Sequence, residues 1–251
     1  VKRLLILIAA LAHAQVRPDT QALVASLKSI RGEPGLSAER SHAISRALLE
    51  WVDMRLRNRA HLNALNDELQ AAGAFGWGNC EDATMCDYTG FISELRAEPV
   101  PGAENLFALH LGIGTTCGYD QTIVLYQRKP WARIGWLNHG DVQRGVPYNF
   151  SSFKVSEVRG RWTIASAEFS QWCTSMMISV SFRISEIRGT TLTDLLNRDL
   201  SARLDEGSPV TLEMTGSSVT FHYLTTATGG LLTRAVERYT VSDSAATLAP
   251  F

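Results

Sequence analysis

The chain has 251 residues, 45% of them hydrophobic and 20% charged, and a formal net charge of −1. That composition excludes a disordered chain and supplies a real core, either in one large domain or in a helical segment joined to a β-rich one, of which we expect the second. The near-zero charge excludes a global positive field that would gather phosphates, so nucleic acid is not an expected partner.

Residues 1–14 (VKRLLILIAALAHA) read as an export signal: Lys2 and Arg3 precede the apolar run Leu4 to Ala12, and Ala12-His13-Ala14 is an A-x-A cleavage site. A nine-residue apolar run spans about 14 Å as a helix, roughly half the hydrocarbon thickness of a bilayer, so no permanent membrane span is expected after cleavage. Losing Lys2 and Arg3 lowers the net charge from −1 to −3. Val1 in place of Met is what a literal translation of a GTG start codon gives, which favours a bacterial source, although a truncated sequence would look the same. The expected location is periplasmic or secreted.

Residues 15–73 are expected to be a helical segment with one short and one long helix. Pro18-Asp19-Thr20 is a helix start, and Leu23, Val24, Leu27 and Ile30 recur at helical spacing before Gly32. After Gly32-Glu33-Pro34-Gly35, Ser37 is a cap and Glu39 suits the first turn of a helix predicted to run without interruption to Ala72. Its apolar stripe is Ile44, Leu48, Trp51, Val52, Leu62, Leu65 and Leu69, with Arg55, Arg57, Asn58 and Arg59 as a polar stretch midway, where a bend or a bridge in the helix is left open. Those arginines fit a grip on an anionic partner, but a charge run on a long helix is more often its solvated face.

Gly73 to Gly78 marks a boundary, after which the apolar period falls from near four to two. Residues 74–251 are expected to form a β-rich domain, with strands at 88–96, 106–112, 122–127, 133–137, 150–158, 162–168, 176–188, 210–214, 219–224 and 235–241. Within 176–188, Ile178, Val180, Phe182 and Ile184 alternate with Ser179, Ser181, Arg183 and Ser185. Short turns such as Arg159-Gly160 and Gly216-Ser217 suit antiparallel hairpins. Thr193 to Leu204 (TDLLNRDLSARL) reads as an inserted helix. The fold class is α+β, helices first and a largely antiparallel sheet after them.

Cys80, Cys86, Cys117 and Cys173 form an even set, which in an exported protein reads as disulfides. Three pairings are open. Cys80–Cys86 with Cys117–Cys173 is preferred, worth about 2.4 and about 4 kcal/mol on the chain-entropy model. Zinc is not expected, because Cys80-x5-Cys86 and two isolated cysteines do not match thiolate ligand spacing.

Candidate catalytic residues are Asp120, Glu168 and Asp141, since two sheet carboxylates facing a cleft are the minimum for glycoside hydrolysis. Asp120, in Cys117-Gly118-Tyr119-Asp120, equally reads as a turn cap. Trp77, Trp131, Trp136, Trp162 and Trp172 raise a carbohydrate-binding face, although Trp131 and Trp136 fall on opposite faces of one strand and core packing is the commoner fate of such rings. His42, His61, His110, His139 and His222 match no metal motif, and His139-Gly140-Asp141 reads as a turn. His110 and His222 are expected half-exposed on strands, each bonded to a neighbour. Ser151-Ser152-Phe153-Lys154 spells S-x-x-K without its companion elements, and Gly112-Ile113-Gly114 opens a dinucleotide-like loop with Cys117 in place of the third glycine. No metal or cofactor is expected.

The Cys117-Gly118-Tyr119-Asp120 segment, the Trp172-Cys173-Thr174-Ser175 stretch and the closing Arg238-Tyr239-Thr240-Val241 resemble exported bacterial proteins of unknown function, over roughly the last two thirds of the chain. The resemblance implies export and no activity, and such proteins continue past the equivalent of Ala249-Pro250. The expected function is therefore a non-catalytic binding or envelope-associated protein with a protein or carbohydrate ligand. The alternative is a polysaccharide or cell-wall hydrolase using two sheet carboxylates beside a Trp. A third reading, an envelope assembly module, requires the stripe from Ile44 to Leu69 to be an exposed apolar patch.

Overall fold

A computed structural model of the chain describes residues 18–31, 38–58, 61–75, 89–115, 118–129, 131–137, 148–171, 177–203, 210–226 and 232–249. Within them three helices, α1 (Pro18–Lys28), α2 (Ala38–Arg57) and α3 (Leu62–Ala71), precede three four-stranded antiparallel sheets. The first sheet is β1 (Ile92–Val100), β2 (Ala103–Thr115), β3 (Gly118–Arg128) and β4 (Trp131–Trp136). The second is β5 (Tyr148–Val158), β6 (Arg161–Gln171), β7 (Met177–Arg188) and β8 (Thr191–Arg203), and the third is β9 (Val210–Thr215), β10 (Ser218–Thr226), β11 (Leu232–Val241) and β12 (Ala246–Leu248). Each sheet is a meander, its strands adjacent in chain order. The α+β architecture, helices first, is as read from the sequence.

Burial alternation stacks these elements into four layers. One face of the first sheet, with Leu109, Leu111, Val124 and Tyr126, packs under the helices against Leu27, Leu48, Leu49, Val52 and Leu69. Its other face, with Leu106, Ala108, Ile123 and Leu125, meets Phe153, Ile164 and Leu192 of the second sheet. The opposite face of the second sheet, with Ala165, Val180, Phe182 and Ile184, meets Leu212, Val219, Phe221 and Tyr239 of the third. Each inner layer therefore shows two buried faces, which is the condition for apolar residues on both sides of one strand. The buried Arg183 adds a polar tie, donating to the carbonyls of Trp136 (3.2 Å) and Leu137 (3.1 Å) at the end of β4 while pairing with Asp194.

Three expectations are corrected. The long helix is two helices: α2 ends at Arg57, and α3 starts after an extended His61 that makes no side-chain cap. The break lets Leu65 and Leu69 bury while Glu68 reaches Arg55 and Thr20. The inserted helix expected at 193–204 is a strand over its described residues, because Thr191 to Arg203 is β8, paired along its length with β7. A register shift between Ile184 and Ser185 leaves Leu195 without a direct partner on β7. Leu195, Leu196 and Leu200 then all pack toward the third sheet, a spacing that imitates a helical stripe. Finally, Arg55 is not on a solvated face. It is 4% exposed, pairing with Asp19 (3.0 Å) and Glu68 (3.2 Å) and donating to Thr20, so that one guanidinium joins all three helices.

The apolar stripe from Ile44 to Leu69 is buried between α1 and the first sheet, which removes the exposed patch that the assembly reading required. Cys80, Cys86, Cys117 and Cys173, together with residues 1–14, lie outside the described residues.

Candidate functional site

The site assembles where α2 meets β3 and its edge neighbour β4 in the first sheet. Leu48, Leu49 and Val52 anchor α2 on the sheet, so Glu50, Asp53, Met54 and Arg57 line one flank of the helix at i, i+3, i+4 and i+7. On the sheet, a register shift between Leu125 and Tyr126 places Arg133 of β4 directly opposite Tyr126 of β3. A bulge of this kind re-aims side chains, and here both partners meet the same carboxylate. Tyr126 donates its hydroxyl proton to Asp53 Oδ1, and Arg133 Nη1 lies 2.9 Å from Asp53 Oδ2.

Asp53 and Tyr126 are buried, and Tyr126 stacks on Phe107 with ring centroids 5.2 Å apart. Burial first, and then the hydrogen bond to the Asp53 carboxylate, raise the Tyr126 phenol well above its ordinary range, so it stays protonated as a donor. Arg133 is 33% exposed, with Trp136 beside it at 5.9 Å from guanidinium carbon to ring centre. Arg57 is 64% exposed and 4.0 Å from Asp53 Oδ2, too long for a hydrogen bond. Glu50, Asp53, Met54, Arg57, Asn58 and Arg133 enclose an open groove of about 390 Å³. Met54 is 44% exposed, one of two large hydrophobic side chains exposed among the described residues.

Two other polar clusters serve the stacking of layers. Glu237 of β11 accepts from Tyr223 (2.7 Å) and Tyr239 (2.5 Å) and pairs with Arg198 of β8 (3.0 Å), joining the second and third sheets. Burial and the Glu237 carboxylate push the Tyr239 phenol up to about 12. Between the first and second sheets, His110 of β2 is buried against Phe153, not half-exposed as its strand position predicts. Arg96 Nη2 lies 3.1 Å from His110 Nδ1, and since Arg can only donate, the ring proton belongs on Nε2, which is 3.1 Å from Glu98 Oε1. His222 is half-buried as expected, but its Nε2 makes no hydrogen bond, the nearest carboxylate, Glu213, being 3.8 Å away.

Of the three candidate acids, only Glu168 has a described side chain. Glu168 is 3% exposed on β6, in register with Ser181 of β7, which is itself opposite Asp199 of β8 and donates to that carboxylate. The outer two positions are two strands apart, about 9 to 10 Å. Trp162 lies six residues from Glu168 along β6, about 20 Å at strand rise, and Trp136 packs with the helix-side core on the far side of the first sheet. Neither Trp136 nor Trp162 therefore lies beside Glu168, and the Trp131 side chain is outside the described residues. Asp120 lies in strand β3 opposite Ile113, where a turn cap was the alternative expectation, and its side chain is outside the described residues. Asp141, His139, Trp77 and Trp172 are outside them too. No group of three metal-ligating side chains occurs among the described residues.

Asp53, Tyr126 and Arg133 carry no motif in the sequence. The available signal was Asp53 itself, an acid set between Val52 and Met54 beside the buried stripe.

Neither a protein-family model nor a curated protein matches the chain. Among solved structures it is similar to the Bacteroides ovatus xyloglucan PUL protein GH43B, at 13% identity over 71% of this chain and 31% of that one, with a TM-score of 0.28. It is also similar to the catalytic domain of the Coprinopsis cinerea GH62 α-L-arabinofuranosidase, at 10% identity over 70% and 74% of the two chains, TM-score 0.19. A third, the Podospora anserina α-L-arabinofuranosidase solved with cellotriose, gives 9% identity over 66% and 69%, TM-score 0.18. The chain spans about a third of the first of these, and scores at this level leave the function to be argued from the site.

Proposed function

We propose that the protein is an exported, non-catalytic binding protein of the periplasm or the extracellular medium, and that the groove between α2 and β4 is its ligand site. Export rests on the leader at residues 1–14, with its basic start, apolar run and A-x-A end. The observation that carries the binding reading is the state of Asp53. Both of its oxygens are occupied, one by the Tyr126 hydroxyl and the other by the Arg133 guanidinium. A carboxylate committed in this way orients an arginine at a groove wall.

Hydrolysis has weaker support: of its candidate acids only Glu168 has a described side chain, and that side chain is 3% exposed and about 20 Å along β6 from Trp162. The two readings separate in one set of assays on the mature protein. Ligand-dependent rises in Tm without turnover, lost in Arg57→Gln, are expected of the groove. Release of reducing ends from cell-wall or plant polysaccharide, abolished by Glu168→Gln with the fold intact, would replace the binding reading with the hydrolase.

A further inference from the structure

We infer that the ligand of the α2–β4 groove is a short zwitterionic peptide, its carboxylate held by Arg57 and its ammonium group by Glu50; this rests on the groove being the ligand site. The groove has four charged side chains, and the Asp53–Arg133 pair at 2.9 Å balances itself. What remains is one exposed carboxylate, Glu50, and one exposed guanidinium, Arg57, whose ion-pair partner Asp53 is 4.0 Å away. They lie seven residues apart on one helix flank, about 10 Å along the axis. A ligand with a single charge would leave one end of the groove unmatched, whereas opposite charges at its two termini match both.

Size and polarity fit the same class. A groove of about 390 Å³ holds two or three amino-acid residues. Met54 sits between the charged ends and is 44% exposed, an unbranched and adaptable surface for side chains of differing shape. Asn58, next to Arg57, and Arg133, beside Asp53, add donors for carboxylate or peptide carbonyl oxygens. α2 ends at Arg57, so its dipole places about half a negative charge there. The full charge of Arg57 exceeds it.

Isothermal titration of the mature protein with Ala-Leu-Ala, its C-terminal amide, its N-acetyl form, succinate and a disaccharide tests this. The free peptide is expected to bind, with about tenfold weaker binding after amidation or in Arg57→Gln, and after N-acetylation or in Glu50→Gln. Circular dichroism and Tm of both variants check that the fold is kept. Equal binding of succinate and peptide, or no peptide binding at millimolar concentration, overturns the inference. If the disaccharide binds and Arg57→Gln weakens it, the groove stands and the peptide falls. If a ligand binds with no effect of either substitution, the groove reading itself falls.

Discussion

Asp53 of α2 and Tyr126 of β3 share a hydrogen bond buried at the helix–sheet boundary, and the register shift on β4, which leaves Ile134 unpaired, sets Arg133 opposite Tyr126. The regular pleat of β3 aims Tyr126 at the helix, and the irregularity in β4 supplies a wall of the groove. Replacing Tyr126 by Phe leaves a buried carboxylate oxygen without its donor and is expected to cost about 1 to 3 kcal/mol in urea unfolding. In a double-mutant cycle with Asp53→Asn, the two losses are expected to be non-additive by at least about 0.5 kcal/mol, and strict additivity would contradict the pairing.

Phe182 of β7 and Phe221 of β10 stack with ring centroids 4.1 Å apart and planes 11° apart, and Tyr223 meets Phe182 edge-on. Both phenylalanines are fully buried at the centre of the contact between the second and third sheets. Phe182→Ala is expected to destabilise by about 3 to 5 kcal/mol, measured by denaturant midpoint at constant m, whereas Phe182→Leu should retain much of that.

Gly90 and Gly160 both have positive φ, +78° and +76°, but their surroundings differ. A Cβ on Gly90 would lie 2.4 Å from the Leu27 carbonyl oxygen, while one on Gly160 meets nothing within 4 Å. Arg31 crowds the same point, donating to Gly90 O and Gly73 O and lying over Phe91. Gly160→Ala should therefore cost about 1 kcal/mol of backbone strain. Gly90→Ala should cost clearly more, because α1 must also shift, and equal Tm losses for the two would refute the close approach.

His110 gives the protein an acid-sensitive joint between the first two sheets. Burial, then the Arg96 charge, hold its imidazole below the ordinary value of 6.5, although Glu98 opposes them. A depressed folded value means that the unfolded chain takes up the proton first. The stability that His110 contributes is full above about pH 6.5 and falls as pH drops through its folded value. Glu98 adds a second loss at lower pH: burial opposes its ionisation, but the Arg96 hydrogen bond and His110 win and hold its carboxyl below the usual range. Urea midpoints from pH 8 to 5 are expected to decline in the native protein and to flatten in His110→Gln. An unchanged slope in the variant would place the acid sensitivity elsewhere.

Local chemistry announces some of this protein and hides the rest. Pro18-Asp19-Thr20 and the alternation Ile178, Val180, Phe182, Ile184 are read directly, because capping and period-two burial depend on residues adjacent in the chain. β12 is missed, being three residues long, and β8 is misread, because its register shift against β7 puts three leucines on one side at helical spacing. Arg55 reads as solvated until Asp19 and Glu68 are brought to it from other helices.

What the order of residues alone determines is the succession of helices and antiparallel hairpins, since each is stabilised by neighbours within about a dozen positions. The stacking order of the layers, the burial of Arg55 and His110, and the meeting of Asp53 with Tyr126 and Arg133 were decided only in three dimensions. Asp53 and Tyr126 are 73 residues apart. A contact of that span has no periodic signature, because it depends on how two faces dock, and the place of Arg133 beside it depends on a one-residue register shift in β4.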